Sequence, residues 1–265
     1  MRIVRFLHND QATYGILDGD QVKLATGSLF ALEQTGETVA LPSDDGLLAP
    51  LIPTDVLCIG QNYRKHAAEM GSTPPPKPML FIKSSNSLAN PGQAIELPGN
   101  SDKIDYESEL VVVIGRDAKN VSEADAMQYV FGYTCANDVS ARDWQKDKDL
   151  NGGQFARGKS FDGFCPIGPM IVTADEVPDP DNLAIVGRLN GEVMQQSSSS
   201  DMIFSVAQII ASLSETMTVR AGSIILTGTP EGVGAGRKPP VFLKDGDVYD
   251  VEIESLGTLS NRFKA

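Results

Sequence analysis

The sequence predicts a mixed α/β fold dominated by β-strands, with a small β-rich N-terminal domain ahead of one larger domain. Strand signals recur along most of the 265 residues, whereas only three short stretches show helical spacing. Glycine (25) and proline (16) are frequent, as expected of a chain with many turns and long shaped loops. The length is sufficient to bury a full hydrophobic core in the larger domain.

The N-terminal domain is assigned to residues 1–52. Three strand-like segments, MRIVRFL, TYGILDG and DQVKLA, are separated by turn residues, and Asp18-Gly19 is a typical hairpin signal. Pro50 and Pro53 bracket the predicted boundary. The second domain is therefore assigned to residues 53–265.

Strand signals dominate this second domain. It opens on the buried strand VLCIG, and IDYESELVVVIG is the strongest strand signal in the chain. The other strand segments are MLFIKSS, YVFGYTCANDVS, SIILTGTP and a C-terminal hairpin-rich stretch that covers residues 241–263.

Helical spacing is confined to three segments. The first, residues 62–70, has Asn62 as its predicted cap and runs into the Gly/Pro-rich loop 71–78. The second is VSEADAMQYV, with Ser122 as its cap. The third is MIFSVAQIIASLSETM, whose apolar residues recur every three to four positions, as in an amphipathic helix.

The composition excludes several classes of partner. A formal net charge of −13 with no run of Lys or Arg argues against nucleic acid, because phosphate binding needs a basic stripe. No apolar run approaches the ~20 residues that cross a bilayer, and charges interrupt the apolar N-terminus, so we expect neither a membrane partner nor a signal peptide. Cys58, Cys135 and Cys165 are predicted to be buried free thiols. A cytoplasmic location follows from these expectations.

The acidic residues Glu107, Glu109 and Asp138 are the main candidates for a functional site. Residues two apart in a strand share a face, so Glu107 and Glu109 project side by side where a buried strand begins. Asp138 follows another apolar strand. Local sequence offers little positive charge to neutralise them, since Lys103 and Arg116 are the nearest bases. Spacing alone leaves two alternatives open: a solvated edge, or a site for a hard cation such as Mg²⁺, Mn²⁺ or Ca²⁺.

Five motifs in order carry a family resemblance. They are IGQNYRKHAAEMG, IDYESELVVVIG, YTCANDVSARDWQ, GKSFDGFCPIGP and ILTGTPEGVG, spread over residues 59–234. Together they resemble the fumarylacetoacetate hydrolase superfamily. The resemblance implies a mixed β-sandwich roll, a homodimer, and a divalent metal, foremost Mg²⁺, held by Glu107, Glu109 and Asp138.

His66 and Glu69 are candidates for acid–base chemistry. Three residues apart on a helix, the two side chains can meet, and a carboxylate fixes the tautomer and raises the basicity of an imidazole. A surface pair without function has the same spacing. The resemblance matches the pair to a water-activating dyad on a lid-like segment, and it brings Lys159 into the site to stabilise an enolate or a substrate carboxylate.

Four further residues are predicted to contact the substrate. The loop that follows the strand SIIL carries Gly228 and Thr229, whose backbone N–H groups and hydroxyl are suited to a carboxylate. Arg142 and Gln145, in SARDWQ, are candidates for the same pocket.

The resulting prediction is an Mg²⁺-dependent hydrolase that cleaves a C–C bond of a small 2,4-dioxo acid of the acylpyruvate or fumarylpyruvate type, a reaction of aromatic catabolism. Hydrolysis is favoured because it requires both members of the His66/Glu69 pair. The alternatives are an oxaloacetate decarboxylase or tautomerase, or an isomerase of a dienoic diacid, all acting through a metal-stabilised enolate. A non-catalytic binding protein is the remaining alternative. It would be expected to lack a metal carboxylate or the lysine, whereas Glu107, Glu109, Asp138 and Lys159 are all present.

Overall fold

The computed structural model of the protein describes residues 1–43 and 46–265. Its strands are β1 (Arg2–His8), β2 (Gln11–Asp18), β3 (Gln21–Ser28), β4 (Ala31–Ala40), β5 (Leu47–Leu48), β6 (Val56–Gly60), β7 (Met79–Lys83), β8 (Leu88–Ala89), β9 (Ile95–Glu96), β10 (Ile104–Asp105), β11 (Ser108–Ile114), β12 (Val130–Asn137), β13 (Ser140–Ala141), β14 (Cys165–Thr173), β15 (Ala184–Leu189), β16 (Glu192–Ser198), β17 (Ile224–Leu226), β18 (Val248–Ile253) and β19 (Gly257–Lys264). Its α-helices are α1 (Arg64–Glu69), α2 (Glu123–Ala126), α3 (Arg142–Lys146), α4 (Lys148–Asn151), α5 (Ala156–Lys159) and α6 (Val206–Thr216). The predicted mixed, β-dominated class is confirmed.

The larger sheet contains twelve of the described strands. Ten follow the order β4-β3-β2-β1-β14-β12-β11-β17-β6-β7, while β5 pairs with β1 and β8 pairs with β14. The N-terminal meander is thus continuous with the sheet of the larger domain, because β1 pairs antiparallel with β14. Three strands were predicted in this meander. The sequence signal missed β4, a mostly exposed strand without apolar alternation.

The second sheet has the order β16-β15-β18-β19-β9 and packs on the larger one. One hydrophobic core contains residues of both sheets, and Val112 and Tyr133 from the larger sheet lie in it with Ile185, Val251 and Leu259 from the smaller. Two packed sheets that share a core form the predicted β-sandwich. The predicted boundary between residues 52 and 53 stays a prediction.

The ends of the helices agree with the sequence prediction only in part. Ser122 caps α2 as predicted, but α6 begins only at Val206, where Ser205 and Gln208 form a capping box. Asn62 is not a cap. Its side chain instead bonds to the backbone of Phe204 and Thr227, and so ties the entrance of α1 to two distant segments.

All three cysteines are buried and unbridged, as predicted. Within residues 1–43 and 46–265, no helix has the length and apolar character that a membrane span requires.

Candidate active site

Three carboxylates meet where β11 begins. Glu107 immediately precedes β11, Glu109 lies on it, and Asp138 follows the end of β12, the antiparallel neighbour of β11. Since the start of β11 lies beside the end of β12, the three side chains converge. One carboxylate oxygen from each lies within 4.8 Å of the other two, and all three residues are buried. The structure therefore brings together the residues that the sequence singled out.

Positive charge reaches this cluster from distant parts of the chain. The Nζ atom of Lys159 lies 2.6 Å from Oε2 of Glu107 and 2.5 Å from Oδ2 of Asp138. A guanidinium nitrogen of Arg142 lies 2.7 Å from Oε1 of Glu107. Lys83 contacts the second oxygen of Asp138 at 2.6 Å. Neighbouring sequence supplies little of this charge. It comes from Lys159 and Arg142, which were predicted to reach the pocket, and from Lys83.

The electrostatics of Glu107 and Glu109 differ sharply. Burial favours a raised pKa for Glu107, but the charges of Arg142 and Lys159 outweigh it and hold the pKa of this carboxyl well below its usual range. Burial raises the pKa of Glu109, and the negative charges of Asp138 and Glu107 raise it further. Glu109 accepts the backbone N–H of Gly228 at 2.7 Å, but no described basic side chain forms an ion pair with it.

The residues present fit a divalent cation. Four buried carboxylates, those of the cluster and Asp105, face three buried cations, Lys83, Arg142 and Lys159. Of the four carboxylates, Glu109 alone has no ion pair with a described basic side chain, and burial beside Asp138 and Glu107 raises its pKa. Three carboxylate oxygens without sulfur or imidazole form a hard ligand set, of the kind that Mg²⁺, Mn²⁺ and Ca²⁺ prefer.

His66 and Glu69 form the predicted pair on α1. Nδ1 of His66 lies 3.2 Å from Oε2 of Glu69, and the imidazole is buried. Glu69 also accepts the backbone N–H of Gly232, at 3.0 Å to Oε1. The imidazole lines the same cavity as the acidic cluster.

A cavity of about 330 Å³ contains these groups. Its polar lining includes Glu107, Glu109, Asp138, His66, Arg142, Gln145, Lys146, Lys159 and Thr229, and its apolar lining includes Ile59, Met79, Phe81 and Phe155. His66 of α1 and Met70, Thr73 and Pro75 of the following segment also line it. This volume lies at the small end of ligand pockets and suits a compact metabolite.

All four predicted substrate contacts already have hydrogen-bond partners within the protein, and the Thr229 hydroxyl donates to the carbonyl of Ser108. The backbone N–H of Gly228 binds Glu109, and a guanidinium nitrogen of Arg142 binds Oε1 of Gln145 at 3.0 Å. Sequence reasoning missed Lys83, although it is the only charged residue of the strand MLFIK. It also missed Asp105, which binds Arg142 at 2.8 Å and lies two residues before Glu107.

Together, fold and pocket define a β-sandwich enzyme with a buried acidic cluster suited to a divalent cation. A family profile described as "Fumarylacetoacetate (FAA) hydrolase C-terminal" matches residues 55–264, and one described as "Rv2993c-like, N-terminal" matches residues 1–50. The chain belongs to the fumarylacetoacetate hydrolase superfamily.

Similar proteins carry several activity names. A Xenopus laevis protein named "Oxaloacetate tautomerase fahd2, mitochondrial" is 48% identical over 220 residues, which cover 83% of this chain and 68% of that protein. The structure of a fumarylacetoacetate hydrolase from Exiguobacterium antarcticum is 39% identical, covers 100% of this chain and 99% of that one, and superposes with a TM-score of 0.90. A 2-hydroxyhepta-2,4-diene-1,7-dioate isomerase from Mycobacterium marinum is 36% identical, with coverage of 100% and 98% and a TM-score of 0.86.

Proposed function

We propose that this chain interconverts the keto and enol forms of a small 2-oxo diacid of the oxaloacetate class. The observation that carries the proposal is the 3.2 Å contact between His66 and Glu69 in the cavity that also contains the three carboxylates. This contact supports a proton carrier beside the proposed cation site. The relative named oxaloacetate tautomerase supports the substrate class.

Glu107, Glu109 and Asp138 would hold the cation, for which we propose Mg²⁺, with Mn²⁺ or Ca²⁺ as alternatives. When bound, the cation supplies positive charge that stabilises the oxygens of an enolate. Among the three, the ionised form of Glu109 would be stabilised most by the cation. Burial and two neighbouring carboxylates raise the pKa of Glu109, and no ion pair opposes them.

His66 carries the proton in the proposed reaction. Because Nδ1 faces Glu69, Nε2 is the nitrogen left to take a proton from C3 of the 2-oxo acid. The C3–H electron pair then forms the C2–C3 double bond, and the C2 carbonyl oxygen becomes the enolate oxygen, which takes the proton from the His66 imidazolium to give the enol. Glu69 fixes the imidazole tautomer and stabilises the imidazolium. The N–H of Gly232 in turn holds Glu69 in place.

Lys159 and Gln145 are suited to the anionic ends of the substrate. Lys159 has three N–H donors, of which two bind Glu107 and Asp138, so one can bind a substrate oxygen. Oε1 of Gln145 accepts from Arg142, which leaves its NH₂ group as the donor toward the cavity. Thr229 is a further polar residue in the lining of the cavity.

Hydrolysis of an acylpyruvate is the second candidate. The contact between His66 and Glu69 supports it equally, since the same Nε2 can instead deprotonate water for attack on a distal carbonyl. The relative named oxaloacetate tautomerase is the reason to rank it second. The bond between that carbonyl and C3 then breaks, and its electron pair forms the same enolate. Decarboxylation of oxaloacetate and isomerisation of a dienedioate use the enolate as well, and their products distinguish them.

A substrate panel with Mg²⁺ tests the proposal. We expect the enol of oxaloacetate to convert to the keto form much faster than in buffer, without release of pyruvate, and acetylpyruvate to remain intact. His66→Ala should lower kcat by roughly 10²- to 10⁴-fold while Mg²⁺ affinity is retained. The matched control is His8→Ala, because His8 is the other of the two histidines and lies on β1.

Either of two results would reject this assignment. Cleavage of acetylpyruvate in preference to tautomerisation of oxaloacetate would establish the second candidate. Full tautomerase activity in His66→Ala would remove the imidazole from the mechanism.

We also propose that the protein is a homodimer located in the cytoplasm, with neither nucleic acid nor a membrane as a partner. The division into domains at residue 52 is a proposal as well. The dimer is supported by β7, which ends the strand order of the larger sheet and exposes Met79, Leu80 and Ile82. Light scattering on the wild type and on Ile82→Glu measures the oligomeric state directly. A monomeric wild type would contradict the dimer.

A further inference from the structure

Behind the cavity, four buried polar side chains form a closed circuit of hydrogen bonds. Ser108 and Thr229 belong to the larger sheet and its loops, whereas Gln195 lies on β16 and Tyr249 on β18 of the smaller sheet. All four are at most 4% exposed. Of these, Thr229 lines the cavity, and Gln195 lies outside its lining.

The direction of every bond in the circuit is determined by its partners. Oε1 of Gln195 accepts the backbone N–H of Ser108 at 2.9 Å, and its Nε2 donates to the backbone carbonyl of Pro230 at 2.8 Å. A backbone N–H only donates and a carbonyl only accepts, so these two contacts fix the orientation of the amide.

The two hydroxyl branches follow from that orientation. Tyr249 donates its hydroxyl to Oε1 of Gln195 at 2.8 Å, so the Ser108 hydroxyl, 2.9 Å from that of Tyr249, must donate to it. On the other branch, Nε2 of Gln195 donates to Oγ1 of Thr229 at 2.9 Å. Thr229 in turn donates to the carbonyl of Ser108 at 3.0 Å, which closes the circuit.

The circuit leaves Thr229 with no hydroxyl proton for a substrate. Its single O–H is committed to Ser108, the residue between Glu107 and Glu109. The fold also reserves space for the circuit at Gly187, where a Cβ would lie 2.0 Å from the Tyr249 hydroxyl and 2.5 Å from that of Ser108.

We propose that Gln195 is a positioning residue for the cavity: it holds Thr229 in the wall and directs the Thr229 hydroxyl proton away from the substrate carboxylate. The proposal rests on the proposed function, because it concerns the binding of a 2-oxo acid at this site. Gln195 acts through Thr229 and Ser108, so its replacement disturbs ligand binding without removing any group that lines the cavity.

The test is a double-mutant cycle read by calorimetry, with Mg²⁺ added first and oxalate titrated second as the probe. The variants are Gln195→Glu, Thr229→Val and the two combined. The near-isosteric Gln195→Glu replaces the donor to Thr229 with an acceptor. Gln196→Glu is the matched control, because it introduces the same change at the adjacent exposed position of β16. The conservative Thr229→Ser retains the hydroxyl.

Each single variant should bind oxalate roughly threefold to tenfold more weakly, as expected for loss of one hydrogen-bonded link. The combined variant should bind no more weakly than the weaker single variant, since both changes break the same circuit. Gln196→Glu should match the wild type within about twofold. Thr229→Ser, which keeps the hydroxyl, should bind oxalate more tightly than Thr229→Val. The thermal midpoint of each variant verifies folding, and Tyr249→Phe replaces Gln195→Glu in the cycle if the latter does not fold.

Unchanged oxalate affinity in Gln195→Glu, or additive losses in the combined variant, would overturn the positioning role, because either result means that Thr229 binds the ligand independently. If the wild type does not bind Mg²⁺, or does not bind oxalate in its presence, the proposed function is overturned together with this inference. Oxalate binding measured without turnover keeps these two failures distinct.

Discussion

Nζ of Lys83 lies 2.6 Å from Oδ1 of Asp138, and both side chains are fully buried. The other oxygen of Asp138 faces Lys159, so each carboxylate oxygen has its own ammonium partner. Lys159 also contacts Glu107, which extends the ion pairs toward Arg142. A lysine outside the cavity lining therefore supports one of the proposed metal ligands.

Replacing Lys83 with methionine should destabilise the metal-free protein by about 3–5 kcal/mol, because it leaves Asp138 buried with one partner fewer. Mg²⁺ should restore part of this loss. The matched control is Lys77→Met, whose pair with Glu215 is exposed and should contribute at most about 1 kcal/mol. Denaturant unfolding of both variants, in EDTA and in Mg²⁺, measures the change in the free energy of unfolding. An equal loss of stability at Lys83 and Lys77 would contradict the prediction.

Glu109→Gln and Glu107→Gln should have opposite effects on the metal-free protein. Glu109 has no basic partner among the described side chains, so its neutralisation should leave the free energy of unfolding within about 1 kcal/mol of wild type, or raise it. Glu107 pairs with Arg142 and Lys159, so its neutralisation should cost about 3–5 kcal/mol. Calorimetry should show weakened Mg²⁺ binding in both. A Glu109→Gln variant that binds Mg²⁺ as tightly as wild type would exclude Glu109 as a ligand.

The pH dependence of stability without metal should separate the same two residues. The folded-state pKa of Glu109 lies above its unfolded value, so its carboxylate destabilises the fold at high pH. The penalty begins to decrease as pH falls through the folded pKa and is gone below the unfolded value. The folded pKa of Glu107 lies below the ordinary 4.5, so its contribution is present above 4.5 and is lost only as pH falls through the lower folded value.

In EDTA, we therefore expect the advantage in thermal midpoint of Glu109→Gln over wild type to shrink as pH falls from about 8 to about 5. The deficit of Glu107→Gln should persist across that window. An advantage of Glu109→Gln that grows on acidification would have the wrong sign for a raised pKa.

Gly236→Ala should impair catalysis through Glu69. A Cβ at Gly236 would lie 2.5 Å from the carboxyl carbon of Glu69 and 2.7 Å from Oε1, so the carboxylate that orients His66 must shift. A displacement of this kind should lower kcat by roughly 10- to 100-fold. The control is Gly99→Ala, where nothing lies within 4 Å of the added Cβ. Steady-state kinetics of both variants test this, and equal kcat values would show that Glu69 tolerates the displacement.

Much of the site could be predicted because its signals are local. Glu107 and Glu109 are two residues apart at a strand start, and His66 and Glu69 are three apart on a helix, so backbone periodicity alone places each pair on one face. The order of five motifs then indicated the family, to which the chain belongs. The mixed β-sandwich class followed from the frequency of strand signals, and the polar strand β4 was missed because it lacks them.

By itself, the sequence determined which acids, which histidine and which fold class to expect. The tertiary structure decided how the acids are neutralised, because Lys83 meets Asp138 across 55 residues and Arg142 meets Glu107 across 35. It also decided the partners of Thr229 and Gln195, which are 34 residues apart and lie in different layers of the sandwich. The physical reason is range: backbone periodicity relates residues two to four positions apart, whereas buried charges and hydroxyls find their partners through the order of the strands and the packing of the two sheets.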